Sequence, residues 1–77
     1  MHISWTGPHN IAVQTGGRHL HIGGEGLLGD GTGFVIYAAY VRQWDDGTPI
    51  SDEERAATLD QVVQEAATRG WRFEIVW

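Results

Sequence analysis

The chain has no cysteine and no lysine, two prolines, and no apolar run long enough to matter to a bilayer. Without cysteine there is neither a disulfide framework nor a thiolate metal site, so a small fold must be held by packing alone. Without lysine no P-loop can exist, and the cationic side is left to five arginines against ten acids, a formal net charge of −5. That balance disfavours the clustered positive charge that phosphate-backbone binding requires, so nucleic acid is not an expected partner. It favours association with a basic partner instead. No stretch approaches the roughly 20 apolar residues of a membrane span, and no basic segment followed by an apolar one comes after Met1. The expectation is a soluble, complete, cytoplasmic chain with no membrane partner.

What remains is bulk. Four tryptophans, two tyrosines and two phenylalanines sit in 77 residues, enough to fill one core and leave one or two rings for a binding face. Residues 1–77 make a single domain. A chain of this length hides only about 60% of its extended surface, so its stability margin is thin.

Met1 to Thr6 alternates as a first strand ended by Gly7-Pro8, and Ile11 to Thr15 alternates as a second. Gly16-Gly17 makes a two-residue hairpin turn, because both central positions want positive φ. Arg18 to Ile22 returns as the third strand, with Val13 opposite Leu20, Ile11 opposite Ile22, and Gln14 opposite His19 on the other face. The glycine-rich stretch Gly23 to Gly33 either extends both flanking strands to a tip at Asp30-Gly31 or is a loop. Phe34 to Val41 is apolar on both faces, as in a central strand buried by a helix.

Pro49 keeps helix from starting immediately upstream. Ser51 with Glu54 three residues later forms a capping box, and Asp52, Glu53 and Glu54 lie where the helix dipole favours anions. Ala56, Leu59, Val62, Val63, Ala66 and Ala67 recur at helical spacing, with Thr58, Gln61, Gln64, Glu65 and Thr68 outward. Gly70 ends the helix, and Trp71, Phe73, Ile75 and Trp77 alternate in a last strand with their rings aimed at the helix. The expected fold is α+β: one small, mainly antiparallel sheet of about five strands with a single helix on one face, in the order β-β-β-β-α-β.

Catalytic chemistry finds little material. Gly24-Glu25-Gly26-Leu27-Leu28-Gly29 fits G-x-G-x-x-G, but no helix follows and no βαβ unit surrounds it. Ser4 lies on a strand and Ser51 is committed to capping. Asp45 and Asp46 are neighbours in a turn, whereas acid/base carboxylates stand apart across a cleft. No enzyme activity and no cofactor are expected. His19 and His21 share one strand face about 7 Å apart, with His2 and His9 nearby. That set raises a histidine-based metal binder as a rival reading; solvated or partner-facing histidines are the plainer one.

Residues 45–54 place five carboxylates, Asp45, Asp46, Asp52, Glu53 and Glu54, directly after Trp44. Turn geometry and helix capping explain each acid locally. An acidic rim around an aromatic anchor is equally what a protein-gripping surface needs. Trp44 itself either lids the core or stands at the rim. A homodimeric module, pairing through the edge candidate Arg72 to Val76, is a further reading.

The order of short motifs is similar to that of a known family. Ile3-Ser4-Trp5-Thr6, a hairpin, Gly24-Glu25, Phe34 through Ala38, Trp44 before a proline-bearing turn, and Ile50-Ser51-Asp52-Glu53-Glu54 opening a helix together resemble immunity protein family 74, among the small immunity proteins of bacterial polymorphic toxin systems. The chain departs from that pattern in having arginine and alanine where such relatives carry lysine-rich helices, and in Asp45-Asp46 with one proline in the turn. The resemblance implies a non-catalytic protein that binds the C-terminal domain of a cognate secreted toxin and neutralises it stoichiometrically.

Overall fold

The computed structural model describes residues 1–26 and 33–77. Strands β1 (His2–Gly7), β2 (Asn10–Thr15), β3 (Arg18–Gly26) and β4 (Gly33–Tyr37) are followed by one 3-10 turn (Ala38–Tyr40), helix α1 (Asp52–Thr68) and strand β5 (Arg72–Val76). The sheet order is β1-β2-β3-β4-β5. Neighbours are antiparallel except β4 and β5, which run parallel because α1 is the crossover between them. This is the expected α+β architecture and element order.

The β2–β3 hairpin has the register its two-residue turn dictates: Val13 faces Leu20, Ile11 faces Ile22 and Gln14 faces His19. Gly16 and Gly17 both carry positive φ, 56° and 77°. One face of the sheet thereby collects Ile3, Ile11, Val13, Leu20 and Ile22, all buried, and α1 covers it with Leu59, Val62 and Ala66. The buried helix seam is narrower than the periodicity suggests, since Ala56 and Ala67 are exposed and Val63 is only partly covered. The capping box forms in full: Ser51 Oγ accepts from the Glu54 N–H and Glu54 Oε1 accepts from the Ser51 N–H, each at 3.1 Å. At the far end the Trp71 N–H donates to Ala66 O and the Gly70 N–H to Ala67 O, a Schellman motif with Gly70 at φ 77°.

The glycine-rich stretch extends both flanking strands: β3 runs through Gly26 and β4 starts at Gly33. The tip at Asp30-Gly31 and the last part of the G-x-G-x-x-G match lie outside the described residues. Gly24 and Gly26 sit inside β3, not in a loop before a helix. A methyl group on Gly24 would overlap the Val35 carbonyl oxygen and come within 2.9 Å of the Phe34 ring. One on Gly26 would strike the Pro8 carbonyl. These glycines are there because neighbouring chain passes too close for a side chain.

Two expectations fail. The run Phe34 to Val41 is not one strand; pairing stops at Tyr37, where β5 ends at its partner Val76. The chain then leaves in the 3-10 turn and returns along the free edge of β3, where the Asp45 N–H donates to His19 O at 2.9 Å. No partner is left for a longer β4, and Tyr40 emerges 75% exposed. Trp77 does not join the core. It follows the last strand residue and is 68% exposed, whereas Phe73 is buried and Trp71 stacks beside it with ring centroids 6.0 Å apart.

The sheet curls around its helix-side face. Trp5, on edge strand β1, meets Phe34 and Phe73 edge-on with centroids at 5.5 Å and Trp71 at 5.6 Å. An aromatic cluster therefore ties β1 to β4 and β5 across the concave side.

Candidate functional site

The segment from Val41 to Glu54 is built on a small hairpin. The Gly47 N–H donates to Trp44 O and the Trp44 N–H to Thr48 O, both at 2.9 Å, with Gln43 bridged to Pro49. Gly47 takes φ 89°, closing the turn that Asp45-Asp46-Gly47 calls for. Asp46 Oδ1 accepts from the Thr48 N–H at 2.8 Å, so this acid braces its own turn. Asp45 instead fastens the hairpin to β3: its Oδ1 accepts from the His21 N–H at 3.1 Å, and its Oδ2 lies 2.7 Å from His21 Nδ1.

Of the two places open to Trp44, it takes the inner one. The indole is 4% exposed and belongs to the core, so it is not a rim contact in the free chain. Arg18 closes over it, its guanidinium carbon 4.2 Å from the ring centroid, and reaches Glu54 Oε2 at 3.2 Å. One arginine from the β2–β3 hairpin thus joins the turn to the start of α1. Nothing in its spacing, 36 residues from Glu54, announces that role.

The five acids are brought to one region, but with different duties. Asp45, Asp46 and Glu54 are engaged as described. Asp52 pairs with Arg55 Nη1 at 3.0 Å while remaining 95% exposed, and Glu53 is exposed. Arg55 Nε also donates to Val41 O at 2.8 Å, holding the hairpin's first limb to α1. Five carboxylates against Arg18, Arg42 and Arg55 leave this rim acidic.

Two carboxyls are held below their ordinary values. Asp46 (ordinarily 3.8) is lowered first by the hydrogen bonds from Thr48, and Glu54 (ordinarily 4.5) first by the Ser51 N–H, with Arg18 assisting both. Folded protein therefore binds these protons less tightly than unfolded chain does. The stability they contribute is present above those ordinary values and is lost as pH falls through the lower folded-state ones. Urea titrations between about pH 6 and 3 are expected to show a midpoint that falls with acid. Asp46→Asn with Glu54→Gln should flatten that slope; an unchanged slope would contradict the assignment.

The sheet face opposite α1 is uncovered. Its β1–β3 half carries His2, Ser4, Gln14, His19 and His21 around a shallow cavity of about 190 Å³ with Ala12 in its lining. Among the described residues no three His, Asp or Glu side chains come together in a group that could hold a metal ion. The β4–β5 half carries Tyr37, which meets Tyr40 edge-on at 6.3 Å. Tyr40, Arg42, Gln43, Asp45 and His21 line a second concavity of about 460 Å³ that reaches the acidic turn. Tyr40 is thus the accessible aromatic beside the rim. Its position in an unbroken apolar run concealed this from the sequence.

The segment thus presents an acidic rim and an exposed ring beside it, with side chains committed to holding both. Residues 3–76 match the family model described as Immunity protein 74, and the chain belongs to that family. Membership makes it an immunity protein and implies a non-enzymatic role in binding a toxin protein. No curated protein and no solved structure matches it. No helix among the described residues is long and apolar enough to cross a membrane.

Proposed function

We propose that the protein binds the C-terminal domain of a cognate secreted toxin in the cytoplasm of the producing cell, and neutralises it one-to-one by covering its active site or the path to it. The family match across residues 3–76 carries this reading. The contact surface is the rim of Asp45, Asp46, Asp52, Glu53 and Glu54, with Tyr40 as the ring that enters the partner and Trp44 supporting it from beneath. Exposed tyrosine is a favoured anchor at interfaces, and surrounding charge sets encounter rate and partner sign. The complementary toxin surface is basic.

The test begins with co-production. Cells making the toxin domain survive when this chain is present and die when it is absent. Calorimetry on the purified pair then locates the surface. Tyr40→Ala is expected to weaken binding by about 2 kcal/mol, roughly thirtyfold. The pair Asp52→Lys and Glu53→Lys, chosen because these two acids do least for the fold, is expected to slow association and reduce its salt dependence. Unchanged affinity and unchanged salt dependence in both variants would remove this surface from the interface. Failure of the chain to rescue cells would remove the function itself.

A further inference from the structure

Strand β5 closes one side of the sheet. It is hydrogen-bonded to β4, and among the described residues no other segment pairs with its outer edge. Such an edge presents a row of free N–H and C=O groups able to accept another strand. Arg72, Glu74 and Val76 are exposed along its open face, with Val76 51% accessible. Arg72 and Glu74 enter no ion pair among the described residues, whereas Arg18, Arg55 and Arg69 all do. On the helix side Trp71 and Ile75 are only partly buried, packed against the core, with the Arg69 guanidinium over the Trp71 ring at 5.2 Å from its centroid.

We infer that this edge is a self-association site, at which β5 of one chain pairs antiparallel with β5 of a second copy about a two-fold axis. A two-fold axis normal to the sheet keeps both helices on the same side and sets one residue opposite its own copy. Centred on Glu74, the pairing opposes two like charges. Centred on Ile75, it sets Glu74 across from Val76. Centred on Phe73, it puts Arg72 opposite Glu74 of the second copy, twice over, on the open face.

The same register sets Trp71 opposite Ile75 on the helix face, again twice, so two partly buried apolar side chains are brought together. Charge and apolar cover select one register, and the repeat of each pair by symmetry is what a self-complementary surface requires. The contact involves a strand of five residues, so the dimer is a weak one with a dissociation constant in the micromolar range or above, ~10 µM or more. The inference does not depend on the neutralising role, and its test uses no toxin.

Sedimentation equilibrium of the full chain at about 0.1–1 mM should show a reversible dimer. Arg72→Glu and Glu74→Arg each place like charges opposite one another, so each alone is expected to raise the dissociation constant at least about tenfold. An equimolar mixture of the two restores every charge pair and should dimerise again. So should the double variant carrying both changes in one chain. Arg72→Gln and Glu74→Gln, which remove attraction without adding repulsion, should fall between; they stand in if a reversed variant fails to fold by circular dichroism. A monomeric wild type over this range overturns the inference. So do single variants that dimerise as wild type does, or a mixture that fails to recover.

Discussion

Gly24→Ala is expected to be the most damaging single-methyl change in the chain, costing about 3 kcal/mol or more. Against a total of roughly 4–12 kcal/mol for a domain of this length, that leaves the fold barely populated or absent. The reason is space rather than backbone conformation. Gly24 does not have positive φ, but its would-be methyl overlaps the Val35 carbonyl oxygen on β4 and presses on the Phe34 ring. The carbonyl belongs to the strand paired with it, so neither can retreat without breaking the β3–β4 ladder. Gly23→Ala is the control. Its methyl would meet Asn10 Oδ1 at 3.4 Å, an ordinary contact, and should cost no more than about 0.5 kcal/mol. Urea midpoints of the two variants decide the matter, and equal losses would contradict close packing as the cause.

The second large effect is at Trp44. Trp44→Ala removes a ring 4% exposed and should cost about 3–5 kcal/mol. Arg18 loses the surface it lies on, the Gln43–Pro49 hairpin loses its footing, and toxin binding falls with the fold. Trp44→Phe should be far milder, about 1–1.5 kcal/mol. The indole Nε1 is buried without a hydrogen-bond partner among the described residues, so phenylalanine forfeits no bond there and relieves an unsatisfied donor. Thermal unfolding measured alongside affinity separates support from contact. A Trp44→Ala protein as stable as wild type but unable to bind would mean that the ring meets the toxin directly.

Legibility in the sequence followed the range of the interactions concerned. The β2–β3 register needed only a two-residue turn and the alternation on either side of it. The helix start needed Ser51 and Glu54, three residues apart, and its end needed Gly70. All of these are local, and all are seen. The end of β4 was not legible, because Tyr37 stops pairing only when Val76 has no successor in β5 and Asp45 already occupies the β3 edge. Those are contacts from three separate parts of the chain. The positions of Tyr40 and Trp44 are set by the same kind of distant contact: the ring in the apolar run is exposed, and the ring among acids takes the inner of its two open places, beneath Arg18. Glycine abundance likewise left Gly24 open between strand and loop; it lies in β3, where the neighbouring strand leaves no room for a side chain.

The acidic stretch was visible as composition, yet its division of labour was not. Asp46 braces a turn, Asp45 clamps an edge, Glu54 caps a helix, and Asp52 and Glu53 are left comparatively free. Substitutions at these last two report on a partner, whereas changes at the other three report first on the fold.

The meeting of Trp5 with Phe73 has a consequence for when protection begins. These rings are separated by nearly the whole polypeptide, and β4 gains its second neighbour only once β5 has been synthesised. A ribosome part-way through this message holds a chain whose opening strand is paired with β2 but whose Trp5 still lacks Trp71 and Phe73. On the proposed function, half the protein therefore gives no protection, and a cell exposed to the toxin must finish each molecule before that molecule counts.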